Sequence, residues 1–373
     1  MTTDSSRKVR VALVFGGRSS EHPVSCATAA GVMAAIDKDR FEVIPIGIAK
    51  DGRWVLGEDD LSALSLEPGH LPEVPDGGNE VRIPLAMGER TLSVLEPGQP
   101  PRDLGGVDVV FPLLHGPFGE DGTIQGLMEL ADLPYVGSGV LASAAMMDKH
   151  FMKGVFTSHG LPVGPFVTIT DRQWRRDPQA ALASVEPLGY PVFVKPARAG
   201  SSVGITRVRQ AEQLRAAIEL AREHDPKVVV EAAIFGREIE CGVLESRDGA
   251  VPRISEPGEI AVERGHDFYD FDAKYLASDG VRLSCPADLP EQDARKIKAM
   301  ASEAFEAAGC EGLARVDFFY TPDRRIILNE INTMPGFTPH SMFPQVWQAS
   351  GMSYPQLISE LIDLALERKL GLR

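Results

Sequence analysis

The chain has 373 residues, 43% hydrophobic and 24% charged, a composition that supports two or three packed domains. Its net charge of −15 excludes a general electrostatic hold on nucleic acid, and no apolar run approaches the roughly 18 residues a membrane-spanning helix needs. The polar stretch MTTDSSRKVR leads into an apolar run, Val11 to Phe15, too short for a signal-peptide core, so a cytoplasmic protein is expected.

Taken in chain order, residues 9–15 (VRVALVF) predict a strand, followed by the loop GGRSSEHPVS, a helix over SCATAAGVMAAI and a strand over FEVIPIGIA. This β-loop-α-β order predicts a parallel sheet with a ligand loop at the strand's carboxyl end. Glu21 lies in that loop, where an acid either complements the following helix dipole or meets a substrate ammonium. Residues 50–105, rich in Gly, Pro and Glu, carry strand-like EVRIPL and TLSVL and read as a peripheral insertion. The strand VDVVFPLL ends at HGPFGEDG, where the glycines around His115 suggest a close backbone approach. A helix is predicted from near Thr123, and one helical run from Val140 to His159, closed by Gly160 and Pro162.

Residues 149–235 read as a small α+β unit: PVFVK, a Gly/Ser loop, ITRV, the helical AEQLRAAIELAREH and the strand KVVVEAAI. Strands EIECGVLES, ARVDFFY and RIILNEIN follow, with helices near 291–309 and 353–369. The stretches 255–280 and 333–350 read as long irregular loops of the kind that cover a site. The expected fold class is α/β with α+β parts, divided 1–148, 149–235 and 236–373. Cys26, Cys241, Cys285 and Cys310 form no CxxC pair and predict free thiols rather than a zinc site or disulfides.

The segment VDFFYTPDRRIILNEINTMPG carries the clearest chemistry. A hairpin centred between Asp323 and Arg324 sets Asp317 opposite Glu330, and Arg315 opposite Asn332. Strand alternation then puts these four on one face and sends Val316, Phe318 and Ile331 into a core. Facing acids repel unless a cation sits between them, and two carboxylates with an amide oxygen suit Mg²⁺, which fills its octahedron with water and phosphate oxygens. A plain surface charge cluster is the alternative.

In PVFVKPARAGSSVGITRV, Lys195 ends a strand, and Gly200, Ser201, Ser202 and Gly204 offer backbone N–H groups and hydroxyls to a phosphate. The spacing is not that of a P-loop, and the same residues also suit a plain tight turn. Lys149, Glu231, Glu238, Lys274 and Tyr275 are individually ordinary rim or loop residues.

These pieces, in this order, resemble the ATP-grasp superfamily and, within it, the D-alanine–D-alanine ligases. The similarity runs from about Val11 to about Leu370 through GGRSSEHPVS, HGPFGEDG, YVGSGVLASAAMMDK, VKPARAGSSVG, YDFDAKY, ARVDFF and LNEINTMPGFTPHS. It implies a Rossmann-like N-terminal domain and central and C-terminal domains that hold ATP between them. By resemblance Lys149, Lys195 and Ser202 serve the nucleotide phosphates, Glu231 and Glu238 the adenine and ribose region, and Phe268 packs on adenine. Asp317, Glu330 and Asn332 become ligands to two Mg²⁺ (or Mn²⁺) ions, and Arg315 and the Gly336 amide face the developing charge. Glu21, Ser201 and Tyr275 form a hydrogen-bonded triad, and His115, Lys274, Ser341 and Met342 surround the substrate carboxylates. The implied reaction joins two D-alanines at the expense of ATP, for peptidoglycan precursor synthesis, in a cytoplasmic homodimer. Tyr275 favours D-alanine as second substrate. A D-alanyl-D-lactate ligase and a non-catalytic nucleotide-binding protein are the alternatives.

Overall fold

Val9–Gly16 (β1) is apolar on both sides, as a strand covered on both faces must be. It pairs in parallel with Phe41–Ile48 (β2) and Val109–Pro112 (β7), with the helix His22–Ala35 crossing between β1 and β2. The structure, a computed structural model, describes residues 7–66, 71–201, 203–262 and 281–369. Ser202, Phe268, Lys274 and Tyr275 lie outside the described residues.

The region 50–105 is not peripheral. Trp54–Leu56 (β3), Glu80–Arg82 (β4), Thr91–Leu95 (β5) and Arg102–Gly106 (β6) extend the parallel strands into one sheet of order β6-β5-β4-β3-β2-β1-β7. Each added strand has only three to five residues, too few to display an apolar alternation convincingly in sequence. The insertion also folds back: Val74 N–H donates to His22 Nε2 at 3.0 Å, and a Cβ on Gly47 would come within 2.7 Å of the Val74 side chain.

A second, antiparallel sheet contains Phe166–Ile169 (β8), Val192–Pro196 (β9), Thr206–Val208 (β10) and Val228–Ala232 (β11) in the order β10-β9-β11-β8. The helix Leu214–His224 backs it with buried Leu214, Ala217, Ile218 and Ala221, the spacing of one helix face. The third sheet contains Arg237–Leu244 (β12), Arg253–Ile254 (β13), Gly258–Val262 (β14), Val281–Ser284 (β15), Leu313–Tyr320 (β16) and Ile326–Asn332 (β17). Its path is β15-β14-β12-β16-β17, with β13 paired beside β12. The helix Glu291–Ala307 covers it through Ile297, Ala301, Ala304 and Phe305.

Three predicted elements differ. The stretch 255–280 is not wholly irregular, because Gly258–Val262 pairs into the third sheet as β14, and 263–280 lie outside the described residues. The run Val140–His159 is two helices, Val140–Met147 and Lys149–Ser158, because Asp148 turns extended and caps the second by accepting from the His150 and Phe151 N–H groups. The stretch 333–350 is not wholly irregular: Met342–Ala349 is helical, entered through Ser341, with Pro344 placed in its first turn, where its missing N–H costs nothing. This helix and Tyr354–Glu367 share one core with Phe15, Met33, Phe111 and Leu313, so the first and third sheets are packed together. That core brings the carboxyl ends of β1 and β7 to face the end of β17.

Candidate active site

A cavity of about 1020 Å³ opens among the three sheets. Among the described residues it is lined by Glu21, His115, Lys149, Lys195, Ser201, Glu231, Glu238, Arg315, Asp317, Glu330, Asn332, Gly336, Ser341 and Met342, every predicted site residue that is described.

Three sequence-distant loops meet at Glu21. Its carboxylate, at the start of the helix His22–Ala35, accepts a short hydrogen bond from Ser201 Oγ. Gly116, at φ +70°, and Gly200 press against the same carboxylate: a Cβ on either would lie 2.5 or 2.6 Å from Glu21 Oε2. Gly116, next to His115, thus makes the close approach the sequence suggested, and its object is an acid. His115 is buried, with Nδ1 3.2 Å from Met334 O and Nε2 3.4 Å from Thr28 Oγ1, so the end of β7 is tied to the end of β17. Burial holds its imidazole below the ordinary histidine value and keeps it neutral. Glu120, not singled out in the sequence, accepts from Gly116 N–H at 2.6 Å; burial, reinforced by the Glu21 charge, lifts its carboxyl to about 8.

The hairpin pairs Arg315 with Asn332 and Asp317 with Glu330, as the sequence predicts, and buries Val316, Phe318 and Ile331 on the opposite face. The predicted centre is half a residue off. Phe318 pairs with Leu328 and Tyr320 with Ile326, a register centred on Asp323, and one extra residue at Asn329 bulges out and restores the expected pairing at the site. On the other side of β16, Glu240 stands opposite Asp317, so Glu240, Asp317 and Glu330 form one row of three carboxylates across neighbouring strands. The Arg315 guanidinium lies over this row, donating to Asp317 through Nε at 2.8 Å and an Nη at 2.7 Å, with Nε 2.9 Å from Glu240. Burial opposes its charge, but Asp317 and Glu240 outweigh burial and hold Arg315 firmly protonated. Asn332 Nδ2 donates to Asp317 at 3.0 Å.

Arg315 pairs with Glu240 and Asp317, Lys149 Nζ lies 3.7 Å from Glu330, and all three carboxylates line the cavity. All available donors are hard oxygens, and Asp317, Glu330 and Asn332 adjoin one another. Among the described residues no group of three or more His, Cys, Asp or Glu side chains is placed to hold a metal ion by itself, so any cation here would draw on fewer protein carboxylates. Mg²⁺ binds typically through one or two carboxylates and shares the rest of its shell with phosphates and water, so these residues fit it.

On the opposite wall, Lys195 projects from β9 beside Val229, which places it on the same face as Glu231 two residues further along β11. Its Nζ lies 2.8 Å from Glu231, and Lys153 Nζ lies 3.2 Å from the other oxygen of that carboxylate. Burial pushes Glu231 up, yet the two lysines overcome this and hold it at about 2. Burial works against Lys195 too, but Glu231 keeps it above the ordinary lysine value, whereas burial prevails at Lys153 and pulls it down. Lys149, the first residue of its helix, donates to Ala199 O at 3.0 Å and so grips the Ala199–Gly204 loop. Ser201 in that loop takes φ +46°. Ser341 bonds Thr338 through N–H to oxygen at 2.9 Å and hydroxyl to hydroxyl at 2.7 Å, and Met342 is buried against Gly258. Lys153 and Glu240 escaped sequence reasoning; their signals were spacing, four residues after Lys149 on a helix and two after Glu238 on a strand. The four cysteines are free, and burial raises Cys26 and Cys310 to about 12 and Cys285 to about 11, which makes them inert thiols.

Comparison with known proteins identifies the family. Residues 10–138 match the family profile described as D-ala D-ala ligase N-terminus, and residues 155–363 that described as D-ala D-ala ligase C-terminus. The chain is 61% identical over 373 residues to a D-alanine–D-alanine ligase of Arthrobacter sp. (strain FB24), covering 100% of this chain and 98% of that one. It is 60% identical over 375 residues to one of Kineococcus radiotolerans, covering 99% and 100%. Among solved structures, the VanG D-Ala:D-Ser ligase of Enterococcus faecalis is 36% identical with a TM-score of 0.81, covering 96% of this chain and 100% of that one. The D-alanine-D-alanine ligase of Coxiella burnetii is 33% identical with a TM-score of 0.79, covering 97% and 95%. The fold is the ATP-grasp fold, and the chain belongs to the D-alanine–D-alanine ligase family.

Proposed function

We propose that the protein joins two D-alanines into D-alanyl-D-alanine, a peptidoglycan precursor, through a D-alanyl phosphate made at the expense of ATP. The observation that carries this reading is the apposition, in one cavity, of the Glu240–Asp317–Glu330 row with the Lys149 and Lys195 ammoniums and, at its end, the Glu21 carboxylate. Acids to seat a cation, lysines for phosphate oxygens and an acid for an ammonium are what a carboxylate–amine ligase needs in one place.

In this reading Glu231 and Glu238 face adenine and ribose, with Phe268 on the ring, while Lys149, Lys195 and the Ser201–Ser202 loop hold the phosphates. Asp317, Glu330 and Asn332 would hold Mg²⁺ or Mn²⁺, two ions in the full site. When bound, the ions neutralise phosphate oxygens during transfer. Glu21, oriented by Ser201 and packed between Gly116 and Gly200, pairs with the ammonium of the first D-alanine and aims its carboxylate at the γ-phosphorus. The carboxylate oxygen attacks phosphorus and ADP leaves, which turns a carboxylate with no good leaving group into an acyl phosphate. The deprotonated amine of the second D-alanine then attacks the carbonyl carbon and phosphate departs. Arg315 and the Gly336 N–H face the oxyanion; one such preorganised donor contributes about 2.7–4 kcal/mol. Neutral His115, Lys274, Ser341 and Met342 surround the substrate carboxylates, and Tyr275 completes the Glu21–Ser201 triad and favours an amine over a hydroxyl nucleophile. We also propose a cytoplasmic homodimer; among the described residues no helix is long and apolar enough to cross a membrane.

The test is a mass-spectrometric product assay with ATP, Mg²⁺ and a panel of D-alanine, D-serine, D-lactate and L-alanine, alongside phosphate release. D-alanyl-D-alanine as the main product, with phosphate release dependent on D-alanine, is expected. A D-alanyl-D-lactate or D-alanyl-D-serine product in preference, or no product, would overturn the reading.

A further inference from the structure

Lys153 has no role in the reaction just described, yet it is a charged side chain taken almost wholly out of water. Only 3% of its side chain is exposed, against 13% for Lys195, and both ammoniums address one carboxylate, Glu231, itself 10% exposed. Lys153 is fixed from three sides. It stands one helical turn after Lys149, its Nζ lies 5.8 Å from the centroid of Phe166, and it makes a long 3.5 Å hydrogen bond to the carbonyl of Asn329, the bulged residue of the hairpin. Lys195 stands near the end of its strand at the root of the Ala199–Gly204 loop; both ammoniums line the cavity, and Lys195 is the more exposed of the two.

We propose that Lys153 is a positioning residue for nucleotide binding: it is the standing counter-ion of Glu231, which frees Lys195 to leave that carboxylate for the phosphates. The inference rests on the reading of this cleft as the ATP site. Two ammoniums on one carboxylate leave a surplus positive charge, and the more exposed lysine is the one an incoming anion can recruit. With Lys153 in place, the departure of Lys195 leaves Glu231 paired. Without it, the same movement strands a buried carboxylate with no counter-ion, which is a heavy cost, so Lys195 stays where it is and the phosphates lose a ligand. Lys153 therefore acts on nucleotide affinity without having to touch the nucleotide.

The experiment compares wild type, Lys153→Met, Glu231→Gln and the double variant, by calorimetric titration with MgADP and by steady-state kinetics. Lys153→Met is expected to weaken MgADP binding and raise the KM for ATP by about tenfold or more, with kcat within about threefold and the KM for D-alanine unchanged. On the Glu231→Gln background, where no carboxylate awaits compensation, the same substitution is expected to change MgADP affinity by less than about twofold. Lys153→Arg, which keeps the charge, is expected to bind MgADP within about threefold of wild type. Equal MgADP affinity in wild type and Lys153→Met, an undiminished loss on the Glu231→Gln background, or a folded Lys153→Arg variant that binds weakly would each overturn the inference. A wild-type chain that fails to bind MgADP would instead overturn the ATP reading itself.

Discussion

Replacing Arg315 with methionine separates what the guanidinium does for the fold from what it does for the reaction. Arg315 is the cation that directly pairs with two members of the acid row, through Nε at 2.9 Å from Glu240 and a two-pronged contact with Asp317 at 2.8 and 2.7 Å. The three side chains are only 14%, 8% and 11% exposed, so solvent gives little relief. Breaking such a pair from one side takes this cation away from both acids, at a cost of roughly 3–5 kcal/mol. Methionine keeps the stem's volume, which confines the loss to charge. Thermal melts without divalent cation should therefore fall by several degrees, and Mg²⁺ with ADP should recover much of the difference, because the cation supplies charge to the same row. Turnover should not recover: loss of one oxyanion donor predicts a fall of about 10²–10³ in kcat with ATP still bound. ADP-coupled kinetics and melts in matched buffers read both quantities. Turnover within about threefold of wild type would refute the catalytic assignment, and a melting point unmoved without divalent cation would refute the charge argument.

Gly116→Ala forces a residue with a side chain into φ +70° and sets its Cβ 2.5 Å from Glu21 Oε2; we expect the KM for D-alanine to rise about tenfold or more with ATP affinity intact, and unchanged D-alanine kinetics would contradict it. Glu120 is raised from 4.5 to about 8, so its stabilising contribution is present below the ordinary carboxylate range and is lost as pH climbs through about 8. Glu120→Gln, uncharged throughout, should gain in melting temperature relative to wild type between those values, whereas parallel melts across that window would sink the assignment. Asp148→Ala removes the cap of the helix Lys149–Ser158 together with the ion pair to Lys227, and chemical denaturation should show a loss of about 0.5–2 kcal/mol or more. A variant as stable as wild type would show that the helix break needs no cap.

What could be read from sequence was what strand alternation and hairpin pairing determine. Asp317, Glu330 and Asn332 fall on one face because their spacing leaves no other place for them while Val316, Phe318 and Ile331 seek a core. The bulge was not legible, since Asn329 looks like any other strand residue until the turn fixes which register is affordable. Nor was the break at Asp148: the apolar rhythm of Val140–His159 runs through it, and a single capping acid outweighs that rhythm only because its carboxylate satisfies two N–H groups and meets Lys227. Lys153 and Glu240 were invisible for a different reason. A sequence shows a charged residue but not its burial, and burial is what gives these two their partners and their consequences.

In the proposed function, the acid row on the β16–β17 hairpin seats a divalent cation against the nucleotide. Electron paramagnetic resonance of Mn²⁺ titrated into the protein with ADP present tests it most directly. The wild-type protein should give a nucleotide-dependent bound signal that weakens by about tenfold or more in Asp317→Asn/Glu330→Gln, while the variant still folds. Mn²⁺ bound equally well by both proteins would contradict it.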